Sequence, residues 1–290
     1  MKNWQTGATL IELMISLVLG LALIASISSL FLQMQKINRS QRALNNMTDD
    51  ARYVQEILQK EIRRTGGLRS RMDNDGIISR VFLDEDVIEI PDTGISFDLN
   101  AAEYVKGVSQ DNPANDAFVI RYQLLDADDL SPANLSNSSS PCTVNSLLDT
   151  GEDPAEAVHV VRIYFFVNNG SLLCTSQRSV AGVCNTDSGK NCALTDMPVT
   201  LIENVQSLTV LYGIDADADH AANYYAEAAG VEPDVWQNVV SMRLSVVLKS
   251  ENTHLVQQVR PYKVEETEIT PSDHSLYRVF TTTIALRNQL

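Results

Sequence analysis

Residues 13–32 contain no charge and no proline, yet a single carboxylate, Glu12, stands directly in front of them. Twenty residues of helix at 1.5 Å rise extend about 30 Å, the thickness of a bilayer core. Such a run must cross a membrane, be cut away, or lie in a bundle of similar helices. A carboxylate at its entrance costs about 2.5–3.5 kcal/mol if it ends in hydrocarbon, so its presence asks for a partner. A secretory signal could be cut near Ser26-Ile27-Ser28, but such signals begin with a basic stretch. Here only Lys2 and the terminal amine precede Glu12. A plain anchor meets a different difficulty. Lys36, Arg39 and Arg42 follow the run and outnumber the cations ahead of it, so the positive-inside rule opposes a cytoplasmic N-terminus.

Beyond the apolar run the helix is expected to continue. Ile37, Leu44, Met47, Ala51, Val54, Leu58 and Ile62 recur at spacings of three, four and seven, which forms one apolar stripe. Gly66-Gly67 is the natural stop, since glycine takes the left-handed conformation that ends helices. From Ala8 to Thr65 the expected helix is about 87 Å long.

Charge divides the chain of 290 residues, whose net charge is −15. Residues 33–71 hold nine Lys or Arg against four Asp or Glu, and Lys2 cancels Glu12. The remainder therefore carries −20 against +5 on the neck. A basic neck joins an acidic body, and that body is a poor partner for nucleic acid. All four cysteines, Cys142, Cys174, Cys184 and Cys192, lie in the acidic part. Neither C-x-x-C spacing nor a nearby histidine favours zinc, and an even count among polar loops favours disulfides in an oxidising compartment. The expected pairing, one of three, is Cys142–Cys174 with Cys184–Cys192. The second bridge would close a short local loop.

The body reads as strands. Residues 118–122, 158–167, 208–212, 239–248 and 279–286 are rich in Val, Ile, Tyr, Phe and Thr, with turn residues between them. Asn168-Asn169-Gly170 is a hairpin signal. Residues 69–116 look irregular, and 131–141 form a polar loop. Strands do not alternate with long helices, so the expected class is α+β: one long helix followed by a mostly antiparallel sheet.

Signatures of catalysis are missing. No G-x-S-x-G, Walker loop, H-E-x-x-H or G-x-G-x-x-G occurs, and His159, His220, His254 and His274 are scattered singly. The chain is therefore not expected to be an enzyme, and no cofactor is required. One cluster suggests a metal: Asp215, Asp217 and Asp219 alternate like the first ligands of a calcium loop. His220 stands where that loop wants glycine, and a solvated acidic turn is the alternative.

Lys2 and Gly7, followed by Ala8-Thr9-Leu10-Ile11-Glu12-Leu13-Met14, resemble the leader and mature start of type IV pilins and type II secretion pseudopilins. Tyr212-Gly213-Ile214-Asp215, Trp236, residues 239–249 and the ending from Tyr277 to Asn288 resemble the PilW family of minor pilins, as does the neck over 52–65. The resemblance implies a pilin-like fold with four parts. These are a leader at 1–7, the transmembrane and assembly half of the helix at 8–32, an amphipathic stem at 33–67 and a periplasmic β-rich domain at 68–290. It also implies that a prepilin peptidase cuts between Gly7 and Ala8, which puts Glu12 at the family's assembly glutamate. The implied partners are other minor pilins, the major pilin and the inner membrane, and the implied role is priming pilus assembly near the tip. Alternatives are the pseudopilin J of type II secretion or, from another class, a membrane-anchored periplasmic enzyme or ligand binder.

Overall fold

A computed structural model describes residues 9–67, 71–72, 78–79, 86–90, 93–100, 103–110, 115–123, 141–142, 159–180, 198–253, 255–256 and 258–287. Helix α1 spans Leu10–Arg64, 55 residues, or about 82 Å. Thr9 caps it, its hydroxyl accepting the Glu12 N–H at 3.3 Å. Gly66 follows in the left-handed region with φ 75°. Its N–H donates to the Arg121 carbonyl, and the Gly67 carbonyl accepts the Gln123 N–H at 2.7 Å. The chain thus leaves the helix by joining a strand. Burial on α1 involves Met47, Ala51, Val54, Ile57, Leu58 and Ile62. Ile37, expected in the same stripe, is 55% exposed, because the helix runs on past the sheets that cover its outer half.

Among the described residues fifteen strands follow, beginning with β1 (Arg71–Met72) paired to β2 (Ile78–Ser79), and β3 (Asp86–Ile90) paired to β4 (Ile95–Leu99). Next come β5 (Val105–Val108), β6 (Ala117–Gln123), β7 (His159–Asn168), β8 (Ser171–Val180) and β9 (Val199–Ile202). These five form an antiparallel sheet in sequence order. The turn between β7 and β8 has Asn169 at φ 50° and Gly170 at φ 73°, the left-handed pair of a tight hairpin. The second sheet takes β10 (Val205–Ile214), β11 (Tyr224–Glu227), β12 (Val239–Lys249) and β15 (Tyr277–Ala285) in the order β11-β10-β12-β15. A small hairpin of β13 (Tyr262–Val264) and β14 (Thr267–Ile269) lies between β12 and β15 in sequence.

The α+β reading holds, with two larger antiparallel sheets beside three two-stranded ones among the described residues. Asn115 and Asp116 fasten the two larger sheets together. The Asp116 N–H donates to the Leu208 carbonyl at 2.8 Å, and the Asp116 carboxylate accepts the Val210 N–H at 2.7 Å. One core unites the outer half of α1 with inward residues of both sheets, including Phe118, Phe165, Tyr212 and Leu244, and with Trp236 from the 3-10 turn before β12. β4 covers the other face of β6 and β7, where Ile95, Phe97 and Leu99 meet Val119, Tyr164 and Phe166. All seven residues of β6 are consequently buried. The stretch 69–116, expected to be irregular, supplies that covering layer through β3 and β4 and the edge strand of the five-stranded sheet through β5.

Candidate functional site: the apolar helix and the body that carries it

Among the described residues the inner half of α1 has no packing partner. Leu13, Leu17, Leu21, Ile24 and Phe31 are each more than half exposed. Three of its hydroxyls are satisfied within the helix: Ser16 donates to the Leu13 carbonyl, Ser26 to Ala22 and Ser29 to Ser26, at 2.8–2.9 Å. A segment so arranged exposes apolar side chains and hides its polar groups, as a lipid or helix-bundle environment demands. The helix is long and apolar enough to cross a membrane. Glu12 lies in its first turn and is exposed. Gly7 and Ala8 lie outside the described residues.

Thr9 and Glu12 form the S/T-x-x-E pattern of a capping box, a signal legible in sequence that also explains where α1 begins. Other anchoring residues had no such signal. Lys249, at the end of β12, bonds Asp273 at 2.7 Å, and the same carboxylate accepts from the Tyr277 hydroxyl and the Ser275 N–H. The Lys249 bond, ahead of the others, holds the Asp273 carboxyl down at about 2. This clamp ties the chain before β15 to the end of β12, and its members are too distant in sequence to be paired by spacing.

Cys142 and Cys174 are joined by a disulfide with Cα atoms 5.5 Å apart, the pairing expected from the sequence. Cys174 belongs to β8 and is fully buried. Cys184 and Cys192 lie outside the described residues.

Carboxylate oxygens of Asp215, Asp217 and Asp219 come within 4.8 Å of one another, the one such group among the described residues. Asp215 is already engaged by the loop itself. Its Oδ1 accepts from the Asp217 and Ala218 N–H groups and its Oδ2 from His220 N–H at 2.8 Å. Burial would raise this carboxyl, but the backbone hydrogen bonds, His220 first, outweigh it and hold it below the ordinary value. Ala218 and His220 both adopt positive φ, so the turn closes without glycine. Asp217 and Asp219 are exposed.

Helix, stem and two-sheet body together define a protein of pilin-like architecture: an exposed apolar helix carried by an antiparallel β body. Residues 164–288 match the family model of the type IV pilus-assembly protein W, PilW, so the resemblance read from the sequence holds over that stretch. Among solved structures, the chain resembles the type IV-like pilin TTHA1219 from Thermus thermophilus at 11% identity and TM-score 0.44. That likeness covers 84% of this chain and 96% of that one. It also resembles a chain of the GspK-GspI-GspJ complex from the enterotoxigenic Escherichia coli type 2 secretion system. There the identity is 8% and the TM-score 0.33, over 80% of this chain and 96% of that one. No curated protein matches the chain.

Proposed function

We propose that the chain is a minor pilin that joins other minor pilins to prime assembly of a type IV pilus, and that it stays near the tip. The observation that carries this reading is the exposed apolar helix, headed by one carboxylate and fused to a body whose β7-to-β15 stretch has the PilW signature. Such a helix has two environments open to it, a bilayer before assembly and a bundle of like helices after it. The body is then periplasmic first and part of the fibre later.

Glu12 gains its role in the second environment. Cleavage after Gly7 would free an amine at Ala8, four residues before Glu12. In a helix bundle both groups lose their water, and an unpaired buried carboxylate becomes very costly. Pairing Glu12 with the new amine of a neighbouring subunit removes that cost and sets the axial register.

N-terminal sequencing of the membrane-extracted protein is expected to begin at Ala8. Glu12→Ala is expected to insert and be cleaved normally while failing to enter pili, and Glu12→Gln to lose most of the same function despite its shape. Normal piliation by both variants, in cells without the wild-type copy, would remove Glu12 from assembly.

A further inference from the structure

Between α1 and the end of the body nearest the apolar segment lies a cleft of about 720 Å³. Lys36, Arg39 and Arg42 line one wall; Glu203 and Glu251 line the other. The spacing of three places the cations near one side of the helix, and all three face the body. None of them has an ion-pair partner within 4 Å among the described residues, and neither do Glu203 and Glu251. Lys249, in the body wall, is committed to Asp273. Asp50 farther along leaves the helix wall net positive, the body wall is net negative, and no ion pair within 4 Å joins the two among the described residues. The clamp at Lys249, together with the bond from its N–H to the Asn204 carbonyl at 2.9 Å, fixes the body wall in place.

Position along the helix identifies what such a cleft meets. At 1.5 Å per residue, Lys36 lies about 6 Å beyond Leu32, Arg39 about 10 Å and Arg42 about 15 Å. The headgroup layer adds roughly 5–8 Å to each side of the hydrocarbon, so Lys36, at the mouth of the cleft, lies at the depth of lipid phosphates, with Arg39 and Arg42 beyond it on the aqueous side. We propose that the cleft holds the headgroup of a zwitterionic aminophospholipid, phosphate against Lys36, Arg39 and Arg42 and primary ammonium against Glu203 and Glu251. A headgroup with a small N–H donor satisfies both walls. A purely anionic headgroup leaves the acids unpaired, and a quaternary amine offers them no hydrogen bond. This occupant also gives the three cations that oppose the positive-inside rule a reason to stand on that flank.

The inference rests on α1 being membrane-anchored, which resistance of the full chain to carbonate extraction reads separately. The test is native mass spectrometry of the full, detergent-solubilised chain titrated with phosphatidylethanolamine, phosphatidylglycerol or phosphatidylcholine. The expected result is one retained phosphatidylethanolamine, at least fivefold over the other two. Lys36→Gln/Arg39→Gln/Arg42→Gln is expected to reduce retention tenfold with an unchanged Tm. Glu203→Gln/Glu251→Gln is expected to abolish the preference over phosphatidylglycerol. Equal retention of all three lipids, or retention unchanged in the triple variant, overturns the proposal. So does displacement of the lipid by free glycerophosphoethanolamine at equal concentration, which would mark a soluble phosphate site. Absent lipid, with loss of co-purifying minor pilins in the triple variant, overturns it in favour of a protein interface. Carbonate extraction of the wild-type chain would remove the anchor and the proposal together.

Discussion

Asp116 is the residue whose chemistry is most at odds with its surroundings. It is buried at the seam of the two sheets, and burial pushes its carboxyl up to about 6 against the lowering effect of the Val210 N–H. A carboxyl raised by folding binds a proton at pH values where the unfolded chain has lost it. Its contribution is fully present below about pH 4 and fades as pH rises through 6, by on the order of 2–3 kcal/mol. Asp116→Asn keeps an acceptor for Val210 and removes the charge. The variant is expected to gain stability at pH 7–8 and to show a flatter profile between pH 4 and 6 in urea unfolding. A variant less stable than wild type at pH 8 would show that the ionised carboxylate is needed at the seam. At Asp215 the balance runs the other way, since three backbone N–H groups already occupy the carboxylate. Millimolar calcium is therefore expected to leave the melting midpoint where it is. A rise of several degrees, reversed by chelator and absent in Asp217→Asn/Asp219→Asn, would assign an ion to the exposed pair.

Among the elements, the bridge from Cys142 to β8 invites a direct measurement. It closes a separation of 32 residues, for which restriction of the unfolded chain predicts a stabilisation of about 4 kcal/mol. Cys142→Ala/Cys174→Ala should lower the unfolding free energy by that order with the sheet intact by circular dichroism. No measurable loss would mean that the intervening chain is already constrained when unfolded. Elements were unequally legible in the sequence. α1 was readable from both its halves, because an uncharged run and a 3.6-residue stripe are long, redundant signals. β7 and β12 were readable because strands buried on both faces become continuous apolar runs. β4 was not, since five residues alternating Ile-Ser-Phe-Asp-Leu make a short pattern inside a stretch of otherwise mixed polarity. β10 was expected only over its middle: its pairing with β12 extends it at both ends, through register shifts at Val205–Ser207 and Gly213–Ile214. Ile37 shows the opposite limit, a stripe residue whose periodicity continues past the body that would bury it.

At the scale of the whole molecule, the candidate site divided in the same way. Glu12 and the apolar run were legible because their meaning is local, one charge at the edge of hydrocarbon. The Lys249–Asp273 clamp and the walls of the cleft beside Lys36 were not, because they exist only where distant segments converge. That convergence has a timetable. The outer half of α1 packs against β6, β9, β12 and β15, and roughly 220 residues separate its buried stripe from β15. On a ribosome the helix emerges at the beginning and part of its seat emerges near the end, so the stem must wait, undocked, while the body is made. Contacts this far apart in sequence form late, and until they do the stripe from Met47 to Ile62 is open to proteases and to other chains. Stopping translation after Leu276 should leave a body that is cleaved within the stem under limited proteolysis, where the full chain resists. A cell that assembles this protein then needs something to shelter the stem for the seconds or longer between the first residue of the helix and the last strand beneath it.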